Sequence, residues 1–192
     1  MKTAILSQKN YLALRICAIF SFAILMIISA YVRIPLFFTP VPLTLQTFVF
    51  YLSIIFLKRQ AVFSQAIYLF LGTIGLPVFT NAGSGLLYFF GPTGGYLIGF
   101  MVASFIFPLF FPKKNNFLRN FCYFSSVAFC VYFFGIIWLI CIHKFSVNTA
   151  LITGVMPFAL GEVFKVSSAS LIRLKFKAGS FSGNSSYCDY QI

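Results

Sequence analysis

The sequence predicts an all-α membrane protein, a compact bundle of six transmembrane helices with both termini cytoplasmic. Of the 192 residues, 60% are hydrophobic and only 8% are charged, whereas soluble globular proteins average about 25% charged residues. The apolar residues also occur in runs about as long as a membrane-crossing helix. A net charge of +12 would suggest nucleic acid in a soluble protein. Here the basic residues form short clusters between apolar runs, which predicts contact with membrane lipid and no nucleic-acid binding.

Six apolar runs are candidate spans, because a hydrocarbon core about 30 Å thick needs roughly twenty helical residues. The second and third runs are short, which fits tilted helices or, for the third, a partly buried segment. Residues 1–177 are predicted to form a single membrane domain, and the Ser- and Gly-rich residues 178–192 a disordered tail. The six runs lie near 12–32, 42–57, 60–76, 93–112, 121–141 and 149–172.

The basic residues predict the orientation of these spans. With six crossings, Arg33 and Lys144 fall on one face of the membrane and eleven basic residues fall on the other. The positive-inside rule makes the second face cytoplasmic. The eleven are Lys2, Lys9, Arg15, Lys58, Arg59, Lys113, Lys114, Arg119, Arg173, Lys175 and Lys177.

Small residues recur every four positions on the first predicted helix, at Ala13, Cys17 and Ser21. Such a stripe allows another helix to approach closely. The stripe could pack inside the bundle or dock against a partner membrane subunit. The spacing alone leaves both possibilities open.

A charged pair lies inside the last apolar run. Glu162 is the only acidic residue among the first 188, and Lys165 follows it three positions later. A charge at bilayer depth costs at least about 2.5 kcal/mol, and residues three apart share one face of a helix. We therefore predict that the pair faces the bundle interior and binds a polar ligand. The alternative is a purely structural ion pair.

Two connections are richer in turn-forming, aromatic and polar residues than a plain linker requires. Residues 33–47 contain three prolines, which predict an extended segment, and residues 75–95 mix glycine and proline with aromatic rings. Both connections fall on the non-cytoplasmic face, where we expect them to cover a ligand site. The candidate binding residues in and around them are Thr44, Gln46, Phe79, Asn81, Tyr88 and Tyr96.

The chain carries few groups for catalysis. Its glycine-rich stretches contain no G-K-[ST] phosphate-binding loop, and its five cysteines form no C-x-x-C pair beside the single His143. These absences predict no enzyme activity, no cofactor and no metal site. A binding site for a small soluble ligand fits the residues better.

Four motifs follow one another along the chain: Arg33-Ile34-Pro35 with Thr39-Pro40-Val41-Pro42-Leu43-Thr44-Leu45-Gln46-Thr47, Gly72-x-x-Gly75-Leu76-Pro77-Val78-Phe79, Gly91-Pro92-Thr93-Gly94-Gly95-Tyr96-Leu97-Ile98-Gly99-Phe100, and Pro157-Phe158 ahead of Gly161-Glu162-x-x-Lys165. In this order they resemble the BioY family of biotin transporters. The resemblance implies a six-helix substrate-binding subunit, or S component, of an energy-coupling factor (ECF) transporter that captures biotin. It also implies partners: a transmembrane coupling subunit and two cytoplasmic ATPases.

Two features depart from the family pattern. The Asp of the family's Gly-Asp-x-x-Lys motif is Glu162 here, one methylene longer, which is expected to shift the site slightly without changing its charge. The alanine-rich first helix of the family is represented by Ala13, Cys17 and Ser21. The docking role of this stripe is therefore less well supported by the resemblance than the ligand site is.

Biotin fits the predicted residues, because each buried polar edge of the ligand needs a partner. Glu162 would accept from a ureido N–H and Lys165 would donate to an oxygen. We expect the ureido ring near this pair and the carboxylate near the loop. Another small vitamin, or a ligand-free membrane scaffold, is the alternative. Asn81, Gln46 and Thr44 would add hydrogen bonds, and Phe79, Tyr88 and Tyr96 would cover the apolar body.

Overall fold

The structure is a computed structural model that describes residues 2–176, and most of these residues are helical. The tail predicted at 178–192 lies outside the described residues. Short 3-10 helices at Lys58–Gln60, Thr80–Ala82, Phe107–Phe110 and Met156–Phe158 connect or extend the α-helices. The α-helices are α1 Lys2–Tyr31, α2 Gln46–Leu57, α3 Ala61–Thr73, α4 Gly85–Phe89, α5 Gly94–Ile106, α6 Phe117–Cys141, α7 Val147–Gly154 and α8 Ala159–Lys175.

The helices agree with the predicted all-α class. Large apolar side chains such as Leu12, Phe129 and Phe164 are exposed, as expected of a surface that contacts lipid rather than water. Gly94–Phe110 forms a shorter apolar helix. Within residues 2–176, four helical segments are long and apolar enough to cross a membrane by length and composition: Tyr11–Tyr31, Gln46–Thr73, Phe117–Cys141 and Val147–Lys175.

The second predicted span begins later than its hydropathy suggests. Arg33–Ile34 and Leu43–Thr44 pair as a two-residue antiparallel ribbon, and the intervening prolines favour this extended backbone. Helix α2 therefore starts at Gln46 rather than at residue 42. It is separate from α3 because Lys58 has a φ of 52°, outside the right-handed helical region.

The last predicted span consists of two helices, α7 and α8, rather than one. Pro157 interrupts it, because proline has no N–H and its ring clashes with the carbonyl four residues earlier, that of Thr153. Thr39 Oγ1 donates to this carbonyl at 2.6 Å, and the Tyr96 hydroxyl donates to the carbonyl of Gly154 at 2.7 Å. Hydrogen bonds from the first connection and from α5 thus replace those that the helix loses.

Helices α5 and α6 pack closely because glycines face α6. A Cβ at Gly95 would lie 2.3 Å from Trp138 Cβ, and one at Gly99 would lie 2.8 Å from Val131 Cα. Close approach through glycines spaced four apart is common between membrane helices. Helix α6 also contacts α8, α2 contacts α1 and α8, and α3 contacts α1 and α5.

Arg173 is buried near the end of α8, although the sequence groups it with the basic residues after the last span. Its guanidinium donates to Asn120 Oδ1 at 2.6 Å and to the carbonyl of Pro112, and it lies 4.1 Å from the centre of the Phe111 ring. These contacts join the end of α8 to the connection between α5 and α6. The basic residues of the turns between α2 and α3 and between α5 and α6, by contrast, are exposed: Lys58, Arg59, Lys113 and Lys114. Arg119 in the first turn of α6 is exposed as well.

Candidate ligand-binding site

A cavity that is partly open to solvent lies where the connections 33–45 and 75–93 meet the helices. The space inside it, including the part open to solvent, is about 540 Å³. Within residues 2–176, no group of three or more His, Cys, Asp or Glu side chains could hold a metal ion. The cavity is lined by Val41, Pro42, Thr44, Gln46, Thr47, Tyr68, Phe79, Thr80, Tyr88, Thr93, Tyr96, Leu97, Phe100, Tyr132, Phe158 and Lys165.

The structure brings most of the predicted binding residues to this cavity and leaves two away from its wall. Asn81 is exposed, with a φ of 63° in the left-handed region that Asn adopts more readily than most residues. Glu162 is buried beside Lys165 but does not line the cavity. The six predicted residues on the wall are Thr44, Gln46, Phe79, Tyr88, Tyr96 and Lys165.

Among the described residues, Lys165 is the one charged residue that lines the cavity. Its Nζ donates to Thr47 Oγ1 at 2.8 Å and lies 3.5 Å from Glu162 Oε2. The Thr47 hydroxyl in turn donates to Glu162 Oε2 at 3.2 Å. The predicted pair is therefore formed, and Thr47 of α2 bridges it. The Lys165 and Glu162 side chains are only 11% and 8% exposed.

Two tyrosines complete the surroundings of the Glu162 carboxylate. Tyr51 of α2 donates to Oε1, and Tyr132 of α6 donates to Oε2 at 3.0 Å. With Thr47 and Lys165, four donors converge on a group that accepts about four hydrogen bonds. The first turn of α8, where Glu162 lies, also favours a negative charge through the helix dipole. The carboxylate that the sequence assigns to the ligand is thus surrounded by donors of the protein.

Aromatic rings and hydroxyls form much of the remaining wall. Phe79 stacks on Tyr88 with ring centroids 5.0 Å apart and meets Tyr68 edge to face at 5.5 Å. The Tyr68 hydroxyl accepts from Gln46 Nε2 at 2.7 Å, and the hydroxyls of Thr80 and Tyr88 are hydrogen-bonded to each other. Such a wall suits a ligand with an apolar body and a few polar edges.

Four residues of the site were not predicted from the sequence: Thr47, Tyr51, Tyr68 and Tyr132. Thr47 belongs to the first motif and lies next to Gln46 in the first turn of α2. Its position in the sequence could therefore have indicated a role in the site. The tyrosines stand singly in apolar runs, where aromatic residues usually pack the core. Their spacing could not distinguish them from packing residues.

The small-residue stripe of α1 lies away from the cavity. Ala13, Cys17 and Ser21 are all exposed. None of the three contributes to the cavity wall. The stripe is thus an accessible surface of the described chain.

Comparison with known proteins identifies the family. The model of the BioY family matches residues 2–180. The chain belongs to the BioY family. It is 34% identical over 157 residues to the biotin transporter BioY of Thermotoga maritima, which covers 81% of this chain and 91% of that protein. It is 38% identical over 136 residues to the probable biotin transporter BioY of Pyrococcus horikoshii, covering 69% of this chain and 78% of that protein.

The fold of this BioY-family chain matches a solved structure. The crystal structure at 2.1 Å of the S-component for biotin from an ECF-type ABC transporter matches with a TM-score of 0.79 and 26% sequence identity. The match covers 86% of this chain and 92% of that one. The resemblance of the four motifs is thereby confirmed. With its long apolar helices, the chain is a multi-pass membrane protein.

Proposed function

We propose that this chain takes up biotin as the S component of an ECF transporter. The observation that carries the proposal is the cavity, whose apolar and hydroxyl-bearing wall presents the single charge of Lys165. Its relatives are named biotin transporters, and the matching structure is described as an S component for biotin. The chain is accordingly a transport protein rather than an enzyme. Biotin is its transported ligand, and no cofactor is involved.

We assign the contacts with biotin to residues that line the cavity. Lys165 donates to the oxygen of the ureido ring, while Gln46 and Thr44 supply neutral hydrogen-bonding groups. The carboxylate lies toward the connection 75–93. Glu162 contributes as the fixed counter-charge of Lys165. The apolar body of biotin packs against Phe79, Tyr88 and Tyr96.

We propose six crossings, with both termini cytoplasmic, in a bacterial cytoplasmic membrane. The turn Lys58–Gln60 between α2 and α3 contacts Phe107–Phe110, which precedes the basic pair Lys113 and Lys114. Two exposed basic turns therefore lie at the same end of the bundle, and the positive-inside rule makes that end cytoplasmic. Residues 1–177 act as one membrane domain in this proposal.

The proposed partners are a transmembrane coupling subunit and two cytoplasmic ATPases. They supply the energy for concentrative uptake, because the sequence has no phosphate-binding loop of its own. We assign the docking of the coupling subunit to the stripe of Ala13, Cys17 and Ser21. The exposure of all three residues supports this assignment, since small side chains let a second helix approach closely.

Thermal unfolding of the detergent-purified chain tests the function. Biotin should raise the melting temperature, whereas thiamine and riboflavin at the same concentration should not. A ligand that binds only the folded form stabilises it by about 2.7 kcal/mol at one hundred times its Kd. No shift at saturating biotin would refute the proposal and favour a ligand-free scaffold. A shift with another vitamin alone would favour an S component for that vitamin.

A further inference from the structure

We infer that Tyr51 is a positioning residue: it fixes the Glu162 carboxylate and, through it, the Lys165 ammonium in the ligand cavity. The inference rests on the proposed function, because it concerns the affinity for biotin. Tyr51 itself is fully buried in α2 and is not part of the cavity wall. It therefore acts on the ligand only through other residues.

The position of the Tyr51 hydroxyl is well defined by its neighbours. Its ring packs against Phe124, with centroids 5.5 Å apart, and against Phe50 at 6.2 Å. Tyr51 lies four residues after Thr47 on α2, so the two side chains share one face of that helix. Both donate a hydrogen bond to Glu162. One face of α2 thus holds the carboxylate of α8 at two points.

The two oxygens of Glu162 are held differently. Tyr51 donates to Oε1, whereas Thr47, Tyr132 and Lys165 all address Oε2. The Tyr51 hydrogen bond therefore opposes rotation of the carboxylate about Oε2. Without it the carboxylate would be held through Oε2 alone, and its orientation beside Lys165 would be less strictly fixed.

The ammonium of Lys165 has three N–H donors. One donates to Thr47 and a second is directed to Glu162, which leaves the third for the cavity that Lys165 lines. This distribution holds only while Glu162 stays in place. The orientation of the donor offered to biotin thus depends on a tyrosine that the ligand does not touch.

Tyr123 provides a matched control for Tyr51. It is also buried, at 8% exposure, and its hydroxyl also makes one hydrogen bond, to the Phe107 carbonyl at 2.8 Å. That bond lies at the connection between α5 and α6, away from the cavity wall. Tyr51→Phe and Tyr123→Phe therefore remove the same atom from two buried side chains, and only the first removes a donor to Glu162.

Calorimetric titration with biotin in matched detergent compares the two variants. Tyr51→Phe should weaken binding about five- to tenfold, a part of the roughly tenfold or larger loss expected when the hydrogen bond from Lys165 to the ligand is removed altogether. Tyr123→Phe should stay within about twofold of wild type, since changes at unconnected sites act independently. Thermal unfolding without ligand checks that both variants are folded.

A double-mutant cycle separates positioning from general support of the fold. In a Glu162→Gln background, Tyr51→Phe should cost less than about threefold further affinity, because residues that act through one another are not additive. If Tyr51→Phe does not fold, Tyr132→Phe takes its place, because it also removes a donor to the Glu162 carboxylate. Since Tyr132 also lines the cavity, only the non-additive part of its loss supports positioning. If Tyr51→Phe binds biotin as wild type does, or if the fold-losses of the two single variants multiply in the double variant, this inference is overturned and the proposed function still stands. A wild-type chain that binds no biotin would overturn the proposed function and this inference with it.

Discussion

Removal of the Lys165 charge should abolish tight biotin binding while the chain still folds. Lys165→Met keeps a long apolar side chain but removes the ammonium that lines the cavity. The ligand then loses a charge-assisted hydrogen bond. Glu162 keeps the hydroxyl donors of Thr47, Tyr51 and Tyr132. The effect on binding should therefore exceed the effect on stability.

The expected magnitudes follow from the contacts of Lys165. A hydrogen bond to a charged group contributes about 1.5–3 kcal/mol, so the affinity should fall about 10- to 150-fold. Lys165 Nζ also lies 3.5 Å from Glu162 Oε2 in a largely buried site. Breaking a buried ion pair costs about 3–5 kcal/mol when the remaining charge is left uncompensated. Since three donors still compensate Glu162, the free energy of unfolding should fall by less than about 3 kcal/mol.

Titration calorimetry of wild type and variant with biotin measures the first effect. Lys175→Met makes the same change at the exposed end of the same helix and should bind as wild type does. Biotin carboxamide lacks the ligand's negative charge and tests its orientation. If Lys165 meets the ureido ring, Lys165→Met weakens acid and carboxamide by the same factor. Unchanged affinity for biotin would refute the assignment of Lys165, and a loss confined to the acid would put the carboxylate at Lys165.

Reconstituted alone in vesicles, the chain should bind biotin but neither hydrolyse ATP nor accumulate biotin against a gradient, because it lacks a phosphate-binding loop; accumulation without partners would contradict the proposed function. Cys17→Trp should abolish uptake in cells that supply the partner subunits while preserving biotin affinity, since a bulky residue keeps another helix away from the exposed stripe. Loss of both would instead mean that the stripe packs within the bundle. Gly99→Ala should lower stability by about 1–3 kcal/mol, because its Cβ would lie 2.8 Å from Val131 Cα. Gly161→Ala is the control: the nearest neighbour of its Cβ would be Leu43 Cδ1 at 3.4 Å, so this variant should be neutral or stabilising. Equal melting temperatures for Gly99→Ala and Gly161→Ala would refute the close packing of α5 on α6.

The all-α class was predictable because every residue of an apolar run contributes to its hydropathy, and the sum over about twenty residues identifies a membrane helix. Helix boundaries were less predictable where one backbone effect overrides hydropathy. Pro157 divides the last span although the residues around it are apolar, and the ribbon of Arg33–Ile34 with Leu43–Thr44 delays α2. The ribbon depends on pairing between segments eight residues apart, which a hydropathy pattern does not record.

The site was predictable where a residue lies in a motif beside a connection, as Gln46 and Tyr96 do. Residue type alone did not predict which groups a side chain meets. Glu162 is the expected ionisable residue, yet donors from α2 and α6 occupy its carboxylate. Asn81 is a suitable polar residue in a suitable connection, yet its side chain is exposed. In both cases the outcome depends on distances between elements that are far apart in the chain.

The interruption between α7 and α8 makes the last part of the chain dependent on earlier parts during biosynthesis. The Thr153 and Gly154 carbonyls receive their hydrogen bonds from Thr39 and Tyr96, which are 114 and 58 positions earlier in the chain. In hydrocarbon, where water cannot substitute, an unbonded carbonyl costs several kcal/mol. The last helix pair therefore reaches its fully hydrogen-bonded arrangement only after the first connection and α5 have taken their places. Segments that border the ligand cavity are thus also needed for the assembly of the helix that carries Lys165.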